Sequence, residues 1–97
     1  MQIKVRPYRG IWMTKIAHLQ KYLEEIGLKH EEDFFLSYSV RDLVTIDLAV
    51  LHNEKKIAFM SVLNANQSQK LTNLGWKPAQ IPKLKILTRQ WVKNVLG

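Results

Sequence analysis

Val44-Thr45-Ile46-Asp47-Leu48-Ala49-Val50-Leu51 is followed by the polar His52-Asn53-Glu54-Lys55 and then by a second apolar run, Ile57-Ala58-Phe59-Met60-Ser61-Val62-Leu63. Two apolar runs around four polar residues read as a β-hairpin, and runs apolar on both faces belong near the centre of a sheet. With the turn centred on Asn53 and Glu54, opposed positions of an antiparallel pair sum to a constant near 107, so Asp47 is expected to face Met60.

Working outward, Phe34, Leu36, Tyr38 and Val40 alternate with Phe35, Ser37 and Ser39, which predicts a strand joined to the hairpin by a turn at Arg41-Asp42. Further upstream, Trp12, Ile16, Leu19, Leu23 and Ile26 recur at three- and four-residue spacing, which predicts a helix over 11–26 capped by Gly27. Residues 1–10 read as an N-terminal arm or short strand ended by Pro7-Tyr8-Arg9-Gly10. Beyond the hairpin, Asn64 to Ser68 can cap a helix that carries Leu71 and Leu74 and stops at Gly75. Trp76 and an extended piece over 78–82 come next. At the end of the chain Leu84, Leu87, Trp91 and Val95 fall on one helical face, and Lys85, Arg89 and Lys93 on another. Residues 83–87 are compatible with either a strand, with Thr88 then the N-cap, or an earlier helix start. The order predicts a small three-layer α/β/α domain around a central β-hairpin, with 11–97 as its core.

The 97 residues suit one domain, and an apolar fraction of 46% is that of a folded chain. There are no cysteines, so disulfides and thiolate metal sites are excluded and an intracellular location, cytoplasmic or organellar, is expected. No apolar run approaches the roughly 20 residues that span a bilayer, and no n-region, h-region and cleavage site follow in order, so a secretory signal is not expected. Lys4, Arg6, Arg9, Lys15 and Lys21 precede the first acid, as in organellar presequences, but Tyr8-Arg9-Gly10 fits a folded arm better. The net charge of +7 is unevenly spread: all eight acids lie between Glu24 and Glu54, and the eight basic residues from Lys55 onward are unopposed. Folding such a chain can present one positive surface, which attracts phosphate polymers through counterion release.

Asp47 is the residue most in need of explanation, because an acid inside an apolar strand is costly to desolvate. It reads either as a metal-binding carboxylate of a nuclease-type sheet or as an acid at a strand end, facing solvent or a lysine. Glu54-Lys55-Lys56 contains a formal E-x-K, but at about 3.4 Å per residue the hairpin tip is too far from Asp47 to share a metal. His18, His30 and His52 have no ligand spacing. Lys70 and Lys77 flank the second helix, and Lys83, Lys85, Arg89 and Lys93 follow along the C-terminal segment. These six can contact a nucleic-acid backbone, with Trp76 or Trp91 stacking on a base. Trp91 also reads as core, since it shares a face with Leu84 and Leu87. Asn64, Asn66, Gln67 and Gln69 can hydrogen-bond nucleotides or simply form a polar loop.

Val44 to Val50, then Lys56-Ile57-Ala58-Phe59, then Leu71-Thr72-Asn73-Leu74-Gly75-Trp76 with Ile81-Pro82, resembles the RAP domain. That is an RNA-associated relative of the very-short-patch-repair branch of the PD-(D/E)XK nucleases. The resemblance covers about residues 24–96 and implies a restriction-endonuclease-like fold. Met60 stands where the family pattern has its glutamate, and Val62 stands at the second catalytic position. A thioether and an isopropyl group neither hold a divalent ion nor activate water. The resemblance therefore implies a vestigial Asp47, no catalytic residue, no metal and no cofactor. The expected function is non-catalytic nucleic-acid binding, RNA favoured over DNA, through Lys70, Lys77, Lys83, Lys85, Arg89, Lys93 and Trp76. The chain would then act alone or inside a ribonucleoprotein assembly. The alternatives are a protein-interaction module that meets an acidic partner, and a metal-dependent nuclease with an atypical site.

Overall fold

Seven elements follow one another: α1 (Gly10–Ile26), β1 (Phe34–Val40), β2 (Val44–His52), β3 (Lys55–Met60), α2 (Ala65–Asn73), β4 (Lys77–Gln80) and α3 (Arg89–Leu96). The structure, a computed structural model, describes the backbone of residues 10–97 and the side chains from Thr14 onward. The expected arm and the Trp12 side chain therefore lie outside the described residues, except that Gly10 already belongs to α1.

The sheet has the order β1-β2-β3-β4, with the first three strands antiparallel and β4 parallel to β3. The hairpin is central, as its two-sided apolar composition requires. Its pairs run from Leu48 with Phe59 to His52 with Lys55, each summing to 107, around a two-residue turn in which Asn53 and Glu54 both have positive φ. Those are the dihedrals that let a two-residue turn match the strands' right-handed twist. β4 is short and carries Pro78, whose missing N–H is tolerated at a sheet edge.

Two cores lie on opposite faces. Leu48, Val50, Ile57 and Phe59 meet Ile16, Leu19 and Leu23 of α1 and Val92 of α3. Ala49, Ala58 and Met60 meet Leu71 of α2 and Trp76. This gives the three layers expected. Ile46 and Leu48 share strand parity yet belong to opposite cores. The reason lies across the ladder, which skips Ser37 and Asp47, and Ser37 has φ of 49°, so alternation breaks there.

Three expectations need correcting. β3 ends at Met60 instead of running on to Leu63, so Val62 sits on no strand face and is 71% exposed. Residues 83–87 form neither strand nor helix but a turn, in which the Lys83 carbonyl accepts from the amides of Ile86 and Leu87. α3 starts only after Thr88, whose Oγ1 accepts from the Trp91 amide at 3.1 Å. The apolar face of the C-terminal segment keeps Leu87, which is buried, and gains Val92, whereas Leu84 lies before the helix and is 41% exposed.

Candidate nucleic-acid interface

The half-buried Asp47 carboxylate has a partner that neither sequence reading named. Its Oδ2 accepts from the Ser61 amide at 2.8 Å and from the Ser61 hydroxyl at 2.5 Å. The ladder ends at Leu48 with Phe59, and its register continued by one position sets Asp47 against Met60, which is buried among Ala58, Leu71 and Trp76. Asp47 thus anchors the chain where it leaves β3, and the charge sits on two donors instead of in hydrocarbon. Among the described residues, no group of three His, Cys, Asp or Glu is placed to hold a metal ion.

The sheet's polarity sorts the basic residues. β3 and β4 are parallel, so Lys55, Lys56 and Lys77 stand together at the end where both strands begin. The C-terminus of α3 returns to the same place. Lys55 Nζ donates to the Leu96 carbonyl at 2.5 Å and Lys77 Nζ to the Val95 carbonyl at 2.7 Å. Cations suit this position because the last carbonyls of a helix are unpaired and carry its negative dipole end. An ammonium has three donors, so each lysine keeps two for a ligand. Lys56 lies 5.9 Å from the centre of the Trp76 ring. The three lysines line a cleft of about 390 Å³ with Ile57, Gly75 and Trp76.

The expected sites divide differently. Lys77 belongs to this cleft, whereas Lys83 and Lys85 follow β4 and lie at the opposite end of the sheet. Arg89 is taken up by an ion pair with Glu25 at 2.8 Å. Lys70 and Lys93 are exposed in the last turns of α2 and α3. Of the expected track along Lys83, Lys85 and Arg89, the two lysines stand in the turn before α3 and Arg89, its first residue, is engaged with Glu25. Trp76 needs correction too: only 6% exposed and 5.8 Å from the Tyr38 ring, it is a core residue that shows one edge to the cleft, not a free stacking platform. Trp91 packs on Phe59, as its shared face implied. Asn64 and Gln67 are occupied by a reciprocal cap of α2, and Gln69 donates to Asn73.

Sequence reasoning did not place Lys55 and Lys56 among the nucleic-acid contacts, because they read as turn residues and as part of a discounted E-x-K motif. It also missed the pairing of His52 with Asp33. Asp33 Oδ1 meets His52 Nδ1 at 2.9 Å, Asp33 Oδ2 accepts from the Lys29 amide at 2.8 Å, and the Asp33 carbonyl accepts from the Leu51 amide. The Lys29 amide first, and His52 second, hold the Asp33 carboxyl below its ordinary range. An ionised carboxylate only accepts, so Nδ1 carries the proton in this pair and Nε2 is the ring nitrogen left for another partner.

The end opposite the lysine cleft has another character. Leu43, Val62, Leu84 and Ile86, all well exposed, come from the three loops at that end, beside Arg41, Lys83 and Lys85. Comparison with known proteins finds no matching family model, no matching curated protein and no matching solved structure.

Proposed function

We propose that this domain binds nucleic acid without cleaving it, seating the phosphate backbone on Lys55, Lys56 and Lys77. The observation that supports this most is the convergence of three lysines, from two parallel strands, on one cleft with no acid in its lining. Two of them are preorganised by the α3 carbonyls, so little side-chain freedom is lost on binding. The preference for RNA over DNA rests on the resemblance to the RAP domain in the phrases around Asp47, Ile57-Ala58 and Leu74-Gly75-Trp76. Binding without cleavage follows from Met60 and Val62 at the positions where that family has its catalytic groups, and from the engagement of Asp47 with Ser61.

A salt titration against single-stranded RNA, duplex RNA and duplex DNA tests the proposal, with a Mg²⁺ cleavage control. Affinity should fall steeply with salt, by a logarithmic slope of about 0.7 per phosphate engaged on a single strand. Lys56→Gln, which removes no helix cap, should flatten that slope by about one contact and weaken all sequences alike. Lys83→Gln should change it less. Absence of binding to any of the three polymers at low salt would refute the reading.

A second reading, a module that docks on an acidic protein partner, is favoured by a separate observation: the exposed Leu43, Val62, Leu84 and Ile86 beside Arg41, Lys83 and Lys85. Apolar side chains rimmed by cations suit an amphipathic segment that carries acids.

A further inference from the structure

Lys55 does not serve the lysine cleft alone. It also lines a second cavity of about 260 Å³, enclosed by the C-terminus of α1, the end of β2 and the last turn of α3. The walls are apolar, from Leu28, Val50 and Leu96, and the polar group among them is His52. Leu96 borders both cavities, so the two adjoin across Lys55 and Leu96. Gly27 stands in the lining with φ of 113°, and a Cβ there would meet nothing within 4 Å, so no side chain narrows that wall. The cavity is below the range of drug-sized pockets and fits one ring system.

We infer that this second cavity receives a single unpaired base of the strand whose phosphate rests on Lys55, which makes the preferred ligand single-stranded. The inference rests on the backbone-binding reading above and names the substrate class of that site. Three features argue for a base. A flat apolar ring matches walls of Leu28, Val50 and Leu96 by burial alone, without sequence preference. His52 is fixed in orientation by Asp33, which is itself fixed by the Lys29 amide, so its Nε2 is preorganised for a hydrogen bond. That nitrogen needs a polar partner in the cavity, and bases present the donors and acceptors of their Watson–Crick edge freely only when that edge is unpaired. In a duplex those edges are occupied and the ring is stacked, so a pocket behind a lysine lip cannot reach them. The junction of the two cavities at Lys55 places phosphate and base on either side of one ammonium, as the connectivity of a nucleotide demands.

Fluorescence anisotropy of the 97-residue chain tests this with three probes of equal phosphate count, the duplex being half the length of the single strands. They are a single-stranded RNA, the same strand with abasic sites in place of its bases, and an RNA duplex. The intact single strand should bind about tenfold more tightly than the abasic strand and the duplex, the size of one base contact. His52→Ala should bring the intact strand down to the abasic level and leave the other two probes unchanged. Equal affinity for intact and abasic strands overturns the inference while leaving backbone binding intact. So does a uniform loss on all three probes in a His52→Ala protein whose circular dichroism is unchanged. If His52→Ala does not fold, the intact-against-abasic comparison on the unaltered chain decides alone. Failure of every probe to bind at low salt removes the backbone-binding reading itself, and this inference with it.

Discussion

Asp47 shows how one side chain can look catalytic and be structural. A carboxylate in an apolar strand demands compensation, and two donors from Ser61, one of them a hydroxyl, supply it. Removing the acceptor leaves the Ser61 amide and hydroxyl to find new partners at the strand end. Asp47→Ala should therefore destabilise the fold by about 2 kcal/mol, as expected for hydrogen bonds to a charged group, and Ser61→Ala by less. Urea denaturation measures both, and an unshifted midpoint in Asp47→Ala would show that the contact contributes nothing. Its position opposite Met60 was legible in the sequence, because hairpin pairing follows from the turn alone. Its partner was not, because Ser61 becomes a donor to Asp47 only once β3 has stopped one residue earlier.

Turns and caps are where local chemistry predicts elements well. Thr88 and Asn64 sit where their side-chain oxygens accept from the third amide of α3 and α2, and both helix starts follow from them. The turn joining β2 to β3 is less well matched to its residues. Glu54 has φ of 66°, a left-handed conformation that costs an L-residue with a Cβ about 1 kcal/mol or more. Asn-Gly is the preferred pair for such a turn. Glu54→Gly should thus stabilise the domain by about 0.5 kcal/mol after the extra entropy of glycine in the unfolded chain is counted. A raised thermal midpoint checks it, and a lowered one would mean that the Glu54 side chain contributes more than its strain costs. What local chemistry did not convey was where β3 ends and that the C-terminal segment buries Val92 rather than Leu84, because that choice is set by what α1 and the sheet leave uncovered.

Across the whole molecule, the two ends of the sheet have different characters. One gathers Lys55, Lys56 and Lys77 around clefts, and the other exposes Leu43, Val62, Leu84 and Ile86 near Lys83 and Lys85. Two surfaces at opposite ends of a strand should act independently, since their side chains share no contact. If the apolar end docks an acidic amphipathic segment, a labelled helical peptide of that composition should bind, and Ile86→Asp should weaken it at least fivefold without changing RNA affinity. Equal binding by a basic amphipathic peptide would show that the apolar end does not select for acids, contrary to the second reading.

The sequence by itself determined the alternation of elements, the hairpin register and a cap for α2 within Asn64 to Ser68, because each of those depends on residues a few positions apart, whereas it left Thr88 as one of two possible starts for α3. It also determined that the second half of the chain is basic. Only the tertiary structure decided which of those cations meet. Placing β4 parallel to β3 brings Lys77 beside Lys55 and Lys56, and the return of α3 sets its terminal carbonyls against two of them. The same packing buried Trp76 and closed the cavity at His52. These juxtapositions join residues far apart in the chain, from 18 positions for Lys77 with Val95 to 41 for Lys55 with Leu96. They follow from burial of apolar faces, which is non-directional and leaves no short-range trace in the chain.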